Sequence, residues 1–379
     1  MRRDKIVVLV LFIIAISSAV GFQLVRGGGA EVAAVSGTST KPSAIGEFRG
    51  ICLQFHDGRP DVPYEQYIDE IAATGANAIC LVVTAYQENC SSTSIFIELR
   101  KTPTDQRVKD LAAYARTKGL RVVLMPIVLL ENPREGEWRG KIAPSNWEDW
   151  WEDYENYVLH YAWIAESIGT DIFVIGSELV STEDQADRWR GLIRSVRGAY
   201  RGCLSYSSNW DHYATITWWS DLDIVGMTTY HDLSSGEEPT MEVLLRKWEP
   251  IKKDILDWQQ KVNLPILFTE VGWPNQTTCA QYPWDYYRSI DKPAPQSQAN
   301  CFEAFFRTWM GEKAVTGCLV WEWRSYPGQV TDPDKDTSYV PCDKPAEKVI
   351  SKYFKSAWSA PPRQAPSSGG TTKPSVATN

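Results

Sequence analysis

Between residues 50 and 321 the chain repeats one pattern: an apolar run of four to seven residues, a turn, then a longer stretch with apolar positions at helical spacing. Short apolar runs bounded by turn signals read as strands buried on both faces, which occur in parallel sheets covered by helices. The runs lie at 50–55, 78–84, 121–127, 172–176, 203–207, 224–228, 266–269 and 317–321. The spacing predicts helices over 64–74, 105–118, 147–168, 183–200, a short one near 213–219, then 241–262, 298–310 and 345–356. Gly119 and Gly169 stand where helix C-caps are expected. Eight strand–helix units in one domain match a (β/α)8 TIM barrel, including its usual size. An open doubly wound sheet fits less well, because no glycine-rich phosphate loop follows any strand.

Two of the apolar runs end on a glutamate. Residues 171–178 (DIFVIGSE) close the fourth strand with Glu178, and 264–273 (LPILFTEVGW) close the seventh with Glu270. A carboxylate where a barrel strand stops belongs to the C-terminal face, where active sites of this architecture are built. Two carboxylates facing one cleft are what glycosidic bond hydrolysis needs, one as proton donor and one as nucleophile or base. Helix-start carboxylates or ion-pair partners are the plainer alternative.

A formal net charge of −8 leaves no basic footprint for nucleic acid. Tryptophan is the outlier, with 17 copies beside 17 tyrosines. They can fill an aromatic core, but those at strand ends and in loops favour stacking on the apolar faces of sugars.

Residues 1–25 read as an export signal or retained signal anchor: a basic start, an apolar run over 6–16 and small residues at 17–19. Export or outer-face membrane anchorage, and so a secreted or periplasmic location, is the expectation. Residues 26–45 read as a linker, 46–358 as the catalytic domain and 359–379 as a disordered tail. Cys52, Cys80, Cys203 and Cys318 fall in strands and behave as small hydrophobes. Cys90, Cys279, Cys301 and Cys342 are the bridge candidates, and a Cys279–Cys301 disulfide is expected. The histidines His56, His160, His212 and His231 are scattered, so neither a metal site nor another cofactor is expected.

In strand order, the sequence resembles the clan of (β/α)8 glycoside hydrolases with catalytic glutamates on strands four and seven (clan GH-A), and within it family 113, the β-mannanase-like group. The resemblance rests on Glu137, Trp138, Arg139 and Gly140 with Pro144 and Trp147, and on the aromatic helix from Trp150 to Ala162. It continues through residues 175–179 (IGSEL), Trp189, 204–209 (LSYSSN), Asp223 to Gly226, Tyr230 and 268–273 (FTEVGW). It implies that Glu178 is the acid/base and Glu270 the nucleophile of a retaining enzyme. Glu178 must then carry a proton as the leaving group departs, which burial and the charge of Glu270 favour.

The resemblance also implies that the Tyr230 phenol holds the nucleophile, a core-rim tyrosine being the alternative. It implies too that Trp321 is a sugar platform, with Trp323 projecting into the same cleft and Glu322 binding hydroxyls or pairing with a cation. Ser177 stands where many clan members carry an asparagine that contacts the sugar 2-hydroxyl, and its hydroxyl reaches less far. Asn209 and Trp210 follow strand five, while Gln54 and His56 end strand one; all four are rim candidates, for substrate contact or for loop packing. Trp273 and Trp138 are candidate outer platforms, although Trp138 can instead brace its own loop.

The leading expectation is an exported, monomeric, retaining β-glycoside hydrolase acting on a polysaccharide, β-1,4-mannan first. The alternatives are hydrolysis of a xylan, glucan or exopolysaccharide, and a catalytically silent glycan-binding barrel at the cell surface. Two converging carboxylates argue against the silent barrel.

Overall fold

A computed structural model of the chain describes residues 45–285 and 292–358. The expected signal, the tail and all of the linker but its last residue lie outside the described residues. Eight parallel strands form a closed barrel in sequence order: β1 (Phe48–Gln54), β2 (Ala78–Gln87), β3 (Arg121–Leu130), β4 (Ile172–Ser177), β5 (Cys203–Ser208), β6 (Ile224–Thr228), β7 (Ile266–Val271) and β8 (Val315–Val320). Seven α-helices surround it: α1 (Tyr64–Ala73), α2 (Asp105–Thr117), α3 (Trp147–Ser167), α4 (Ala186–Ala199), α5 (Met241–Val262), α6 (Pro295–Trp309) and α7 (Pro345–Phe354).

The protein is a single-domain TIM barrel. Local chemistry starts several helices: Asn146, Thr104 and Thr240 accept hydrogen bonds from backbone N–H groups of the first turns of α3, α2 and α5. Left-handed Gly119 and Gly169 follow α2 and α3.

Two apolar layers hold the sheet between them. Phe48, Cys52, Cys80, Val82, Val123, Met125, Val174, Leu267 and Leu319 fill the barrel interior. The opposite faces, with Ile51, Leu81, Val122, Phe173 and Phe268, meet the helices. This is why the runs are continuously apolar rather than alternating. Closure brings β8 against β1 so tightly that a Cβ on Gly317 (φ 148°) would lie 1.8 Å from the Phe48 carbonyl oxygen.

Three expectations are corrected. No α-helix forms over 213–219; a single 3-10 turn, Trp219–Asp221, links β5 to β6. Trp218 and Trp219 are consumed there by packing against Tyr206 and Trp189.

The tryptophans are mostly core. Trp150, Trp189, Trp218, Trp248, Trp273, Trp309 and Trp358 are fully buried, and the indole N–H groups of Trp150, Trp189, Trp218 and Trp358 donate to protein oxygens.

The Cys279–Cys301 disulfide is not formed: all eight cysteines are free and buried. These two thiols sit against one another, and burial with the neighbouring Cys279 sulfur pushes Cys301 well above the usual thiol range.

Candidate active site

Strict alternation along a strand would point Glu270 away from the barrel axis, because Leu267 faces inward and Phe268 outward. The structure turns it in with irregular ladders. Register slips between Met227 and Thr228 on the β6 side and between Phe268 and Val271 on the β8 side. A third slip, between Val174 and Ser177, re-aims the end of β4. Gly176 makes that one feasible: a Cβ there would lie 2.4 Å from the Tyr154 hydroxyl, which donates to the Ile175 carbonyl at 2.7 Å.

Glu178 follows immediately in the left-handed region (φ 53°), a conformation that costs a non-glycine residue about 1–3 kcal/mol. Its N–H donates to the Ser207 carbonyl at 2.8 Å, and the next N–H, of Leu179, donates to the Tyr206 hydroxyl at 2.9 Å. Tyr206 in turn donates to Glu183 at 2.8 Å. Burial is the main force pushing the Glu183 carboxyl up to about 8, with the charges of Glu178 and Asp211 adding to it.

The two glutamates meet at the barrel mouth. Ser177 donates to Glu270 Oε1 and Tyr230 to Oε2, each at 3.0 Å. Arg139, in the loop between β3 and α3, donates from Nη2 to Glu178 Oε2 at 2.7 Å, and the same nitrogen lies 3.6 Å from Glu270 Oε1. Two oxygens at 2.7 and 3.6 Å from one nitrogen are no more than about 6.3 Å apart. Burial first, and the charge of Glu178 second, raise Glu270 to about 7 against the opposing effects of Arg139, Ser177 and Tyr230. Burial and the adjacent Glu270 charge also keep the Tyr230 phenol protonated, and so a donor.

Trp321, just beyond the end of β8, is half-buried and packs on the barrel interior. Glu322 follows it, 3.8 Å from His56 Nε2. Its charge and that of Glu270 both act on the Cys52 thiol between β1 and β7. Gln54 is buried at the end of β1. Asn209 and Trp210 are half-buried on the rim; Asn209 donates to Asp211 at 2.6 Å, and Trp210 stacks on exposed Trp284 at 5.9 Å.

Two expected cleft residues, the platform Trp273 and the projecting Trp323, are corrected by their burial. The Trp273 ring is enclosed by Phe302 and Phe305 of α6, and Trp323 donates its indole N–H to Glu70 of α1 at 3.0 Å behind the sheet. Neither offers a face to a sugar. Trp138 lies over its own loop, where a Cβ on Gly140 would come within 2.2 Å of its ring, yet it stays partly exposed.

Arg139 has no role that its sequence position announces. The residue was visible only as part of a motif, and the reach of a long side chain across the mouth has no signature in the spacing. Tyr206 and Glu183 were equally silent.

The sequence profile of Glycoside Hydrolase Family 113 matches residues 62–344. The chain belongs to glycoside hydrolase family 113. It is a glycoside hydrolase with the barrel of that family. Among solved structures, a GH113 β-1,4-mannanase is similar at 26% identity and a TM-score of 0.72, covering 82% of this chain and 99% of that one. The GH113 β-mannanase from Alicyclobacillus acidocaldarius gives the same figures: 26% identity, TM-score 0.72, and 82% and 99% coverage. An endo-β-1,4-mannanase from Thermotoga petrophila shares the fold at 12% identity and a TM-score of 0.54, covering 82% of this chain and 77% of that one. Among curated proteins no sequence matches the chain.

Proposed function

We propose that this family 113 enzyme is exported and hydrolyses a β-linked polysaccharide, β-1,4-mannan first, with retention of configuration. The observation that carries the reading is that one Arg139 nitrogen reaches both carboxylates, which holds those two Glu178 and Glu270 oxygens within about 6.3 Å of each other. Retaining glycosidases hold their carboxyls about 5–5.5 Å apart, whereas inverting ones need about 6.5–9.5 Å to seat a water.

Glu270, pinned by two donors, attacks the anomeric carbon. Glu178 protonates the departing oxygen and then takes a proton from the water that releases the sugar. The mannan assignment draws on the β-1,4-mannanases to which the chain is similar. Export draws on residues 1–25; among the described residues no helix is long and apolar enough to cross a membrane. We take the working unit to be a monomer, which sedimentation would test.

The deciding experiment offers a panel of β-linked polysaccharides and follows the first product by proton NMR. Mannan should release β-anomeric ends that later mutarotate. First appearance of the α-anomer would overturn retention, and cleavage of xylan or glucan with mannan untouched would overturn the substrate.

A further inference from the structure

Arg139 lies against both carboxylates that substrate must reach. In a double displacement the anomeric carbon and the glycosidic oxygen lie between the nucleophile and the acid. The Arg139 guanidinium contacts both carboxylates, 2.7 Å from Glu178 and 3.6 Å from Glu270. Its side chain is only 16% exposed, yet it springs from a loop whose residues 132–136 are all exposed. The same ion pair conflicts with acid catalysis, because a carboxylate bound to a guanidinium has no proton to give.

We propose that Arg139 is a positioning group that substrate displaces: it holds the carboxylate pair in the free enzyme and is pushed out by the incoming β-glycoside, so that the pair gains its working proton only when the cleft is filled. The inference rests on the retaining reading above.

The physics is electrostatic. The positive charge of Arg139 favours the ionised pair, and its departure, together with exclusion of water by the sugar, favours the protonated one. The other groups facing the pair remain in place: Tyr230 from β6, Glu322 and His56 from the β8 and β1 ends, the Cys52 thiol, and Glu183 behind Tyr206. Four of these five, Tyr230, Glu322, Cys52 and Glu183, are acids, so Arg139 is the main cation opposing protonation. Free enzyme and complex should therefore differ in proton affinity. The alkaline limb of kcat/KM reports the free enzyme and that of kcat the complex.

The test compares wild type, Arg139→Met and Arg139→Lys on an aryl β-mannoside. In wild type the kcat limb should lie about one pH unit above the kcat/KM limb, the size expected for one charge at this range. In Arg139→Met the kcat/KM limb should rise to meet a kcat limb that has not moved. Arg139→Lys should restore most of the gap. If both limbs shift together in Arg139→Met, the guanidinium stays between the carboxylates in the complex and displacement is wrong. If neither shifts, the charge coupling is wrong.

Absence of turnover by wild type would instead count against the functional reading. In that case carboxyl 13C titration of the free proteins decides: the upper apparent pKa of the pair must rise in Arg139→Met, and an unchanged value overturns the proposal.

Discussion

The hydroxyl of Ser177, one residue before Glu178 on β4, donates to Oε1 of Glu270 on β7 at 3.0 Å. The backbone that presents one carboxylate thus positions the other. The short reach that made serine look like a poor substitute for asparagine suits this contact, since the bulge at the end of β4 carries the residue inward. Ser177→Ala should lower kcat about tenfold, the effect of one hydrogen bond to a charged group. Because this bond favours ionised Glu270, the nucleophile, the acid limb of kcat/KM should also move to higher pH. A loss of activity with the limb fixed would mean that Ser177 acts on the sugar alone.

Tyr230 supplies the second anchor, at Oε2. Tyr230→Phe keeps the ring and removes the donor, leaving one oxygen of a buried carboxylate without its bond. A charge-assisted hydrogen bond contributes about 1.5–3 kcal/mol, so kcat/KM should fall roughly 10- to 100-fold. Steady-state kinetics on an activated aryl glycoside would check it, and a loss below threefold would remove Tyr230 from the nucleophile's support.

Strand placement was legible because a strand buried on both faces leaves little choice of residue, and 224–228 was read to the residue. β2 and β3 instead run three residues further than their apolar runs suggest, paired with each other through Gln87 and Leu130. The two glutamates were legible because a charge ending an apolar run has few structural uses. Their orientation was not, since it depends on three ladder slips that no residue type announces. Trp273 and Trp321 read alike in sequence, each just past a strand end. One ring is enclosed by α6 and the other lies at the mouth, and only packing distinguishes them.

Glu183 offers a test of stability. Burial lifts its carboxyl to about 8, above the value near 4.5 expected in the unfolded chain. Between those values the folded state binds the proton more tightly, so stability falls as pH rises from about 4.5 to about 8 and is level beyond. Glu183→Gln can still accept from Tyr206 but carries no charge. It should match wild type near pH 5 and exceed it by a few kcal/mol above pH 8, because each pH unit separating the folded and unfolded values is worth about 1.4 kcal/mol. Denaturant melts at the two pH values would measure this, and an advantage that is the same at both would show that the Glu183 charge is not the cause.

His231 is the opposite case. Enclosed by Trp210 and Trp248, it is pushed by burial down to about 4, so it folds as the neutral ring. The unfolded chain takes up the proton below about 6.5, and stability is therefore lost as pH falls from there towards 4. His231→Phe should flatten that acid slope in a Tm-against-pH series; an unaltered slope would place the acid sensitivity elsewhere.

The final prediction separates the two glutamates by role. Glu270→Ala removes the nucleophile, so no glycosyl-enzyme forms and turnover should vanish on every substrate. Glu178→Ala removes the acid, which matters only when the leaving group needs a proton. An activated aryl glycoside departs as a stable phenolate, so its first step should survive, and the glycosyl-enzyme should accumulate because no base activates water. Azide needs no base. In Glu178→Ala it should attack the α-linked intermediate and release a β-glycosyl azide, restoring turnover. In Glu270→Ala the cavity left by the carboxylate admits azide to the same face of the sugar that Glu270 would have attacked, and direct displacement should give the α-glycosyl azide. Product NMR distinguishes the two. Reversed anomers, or the same anomer from both variants, would exchange or abolish the assigned roles even with both residues essential.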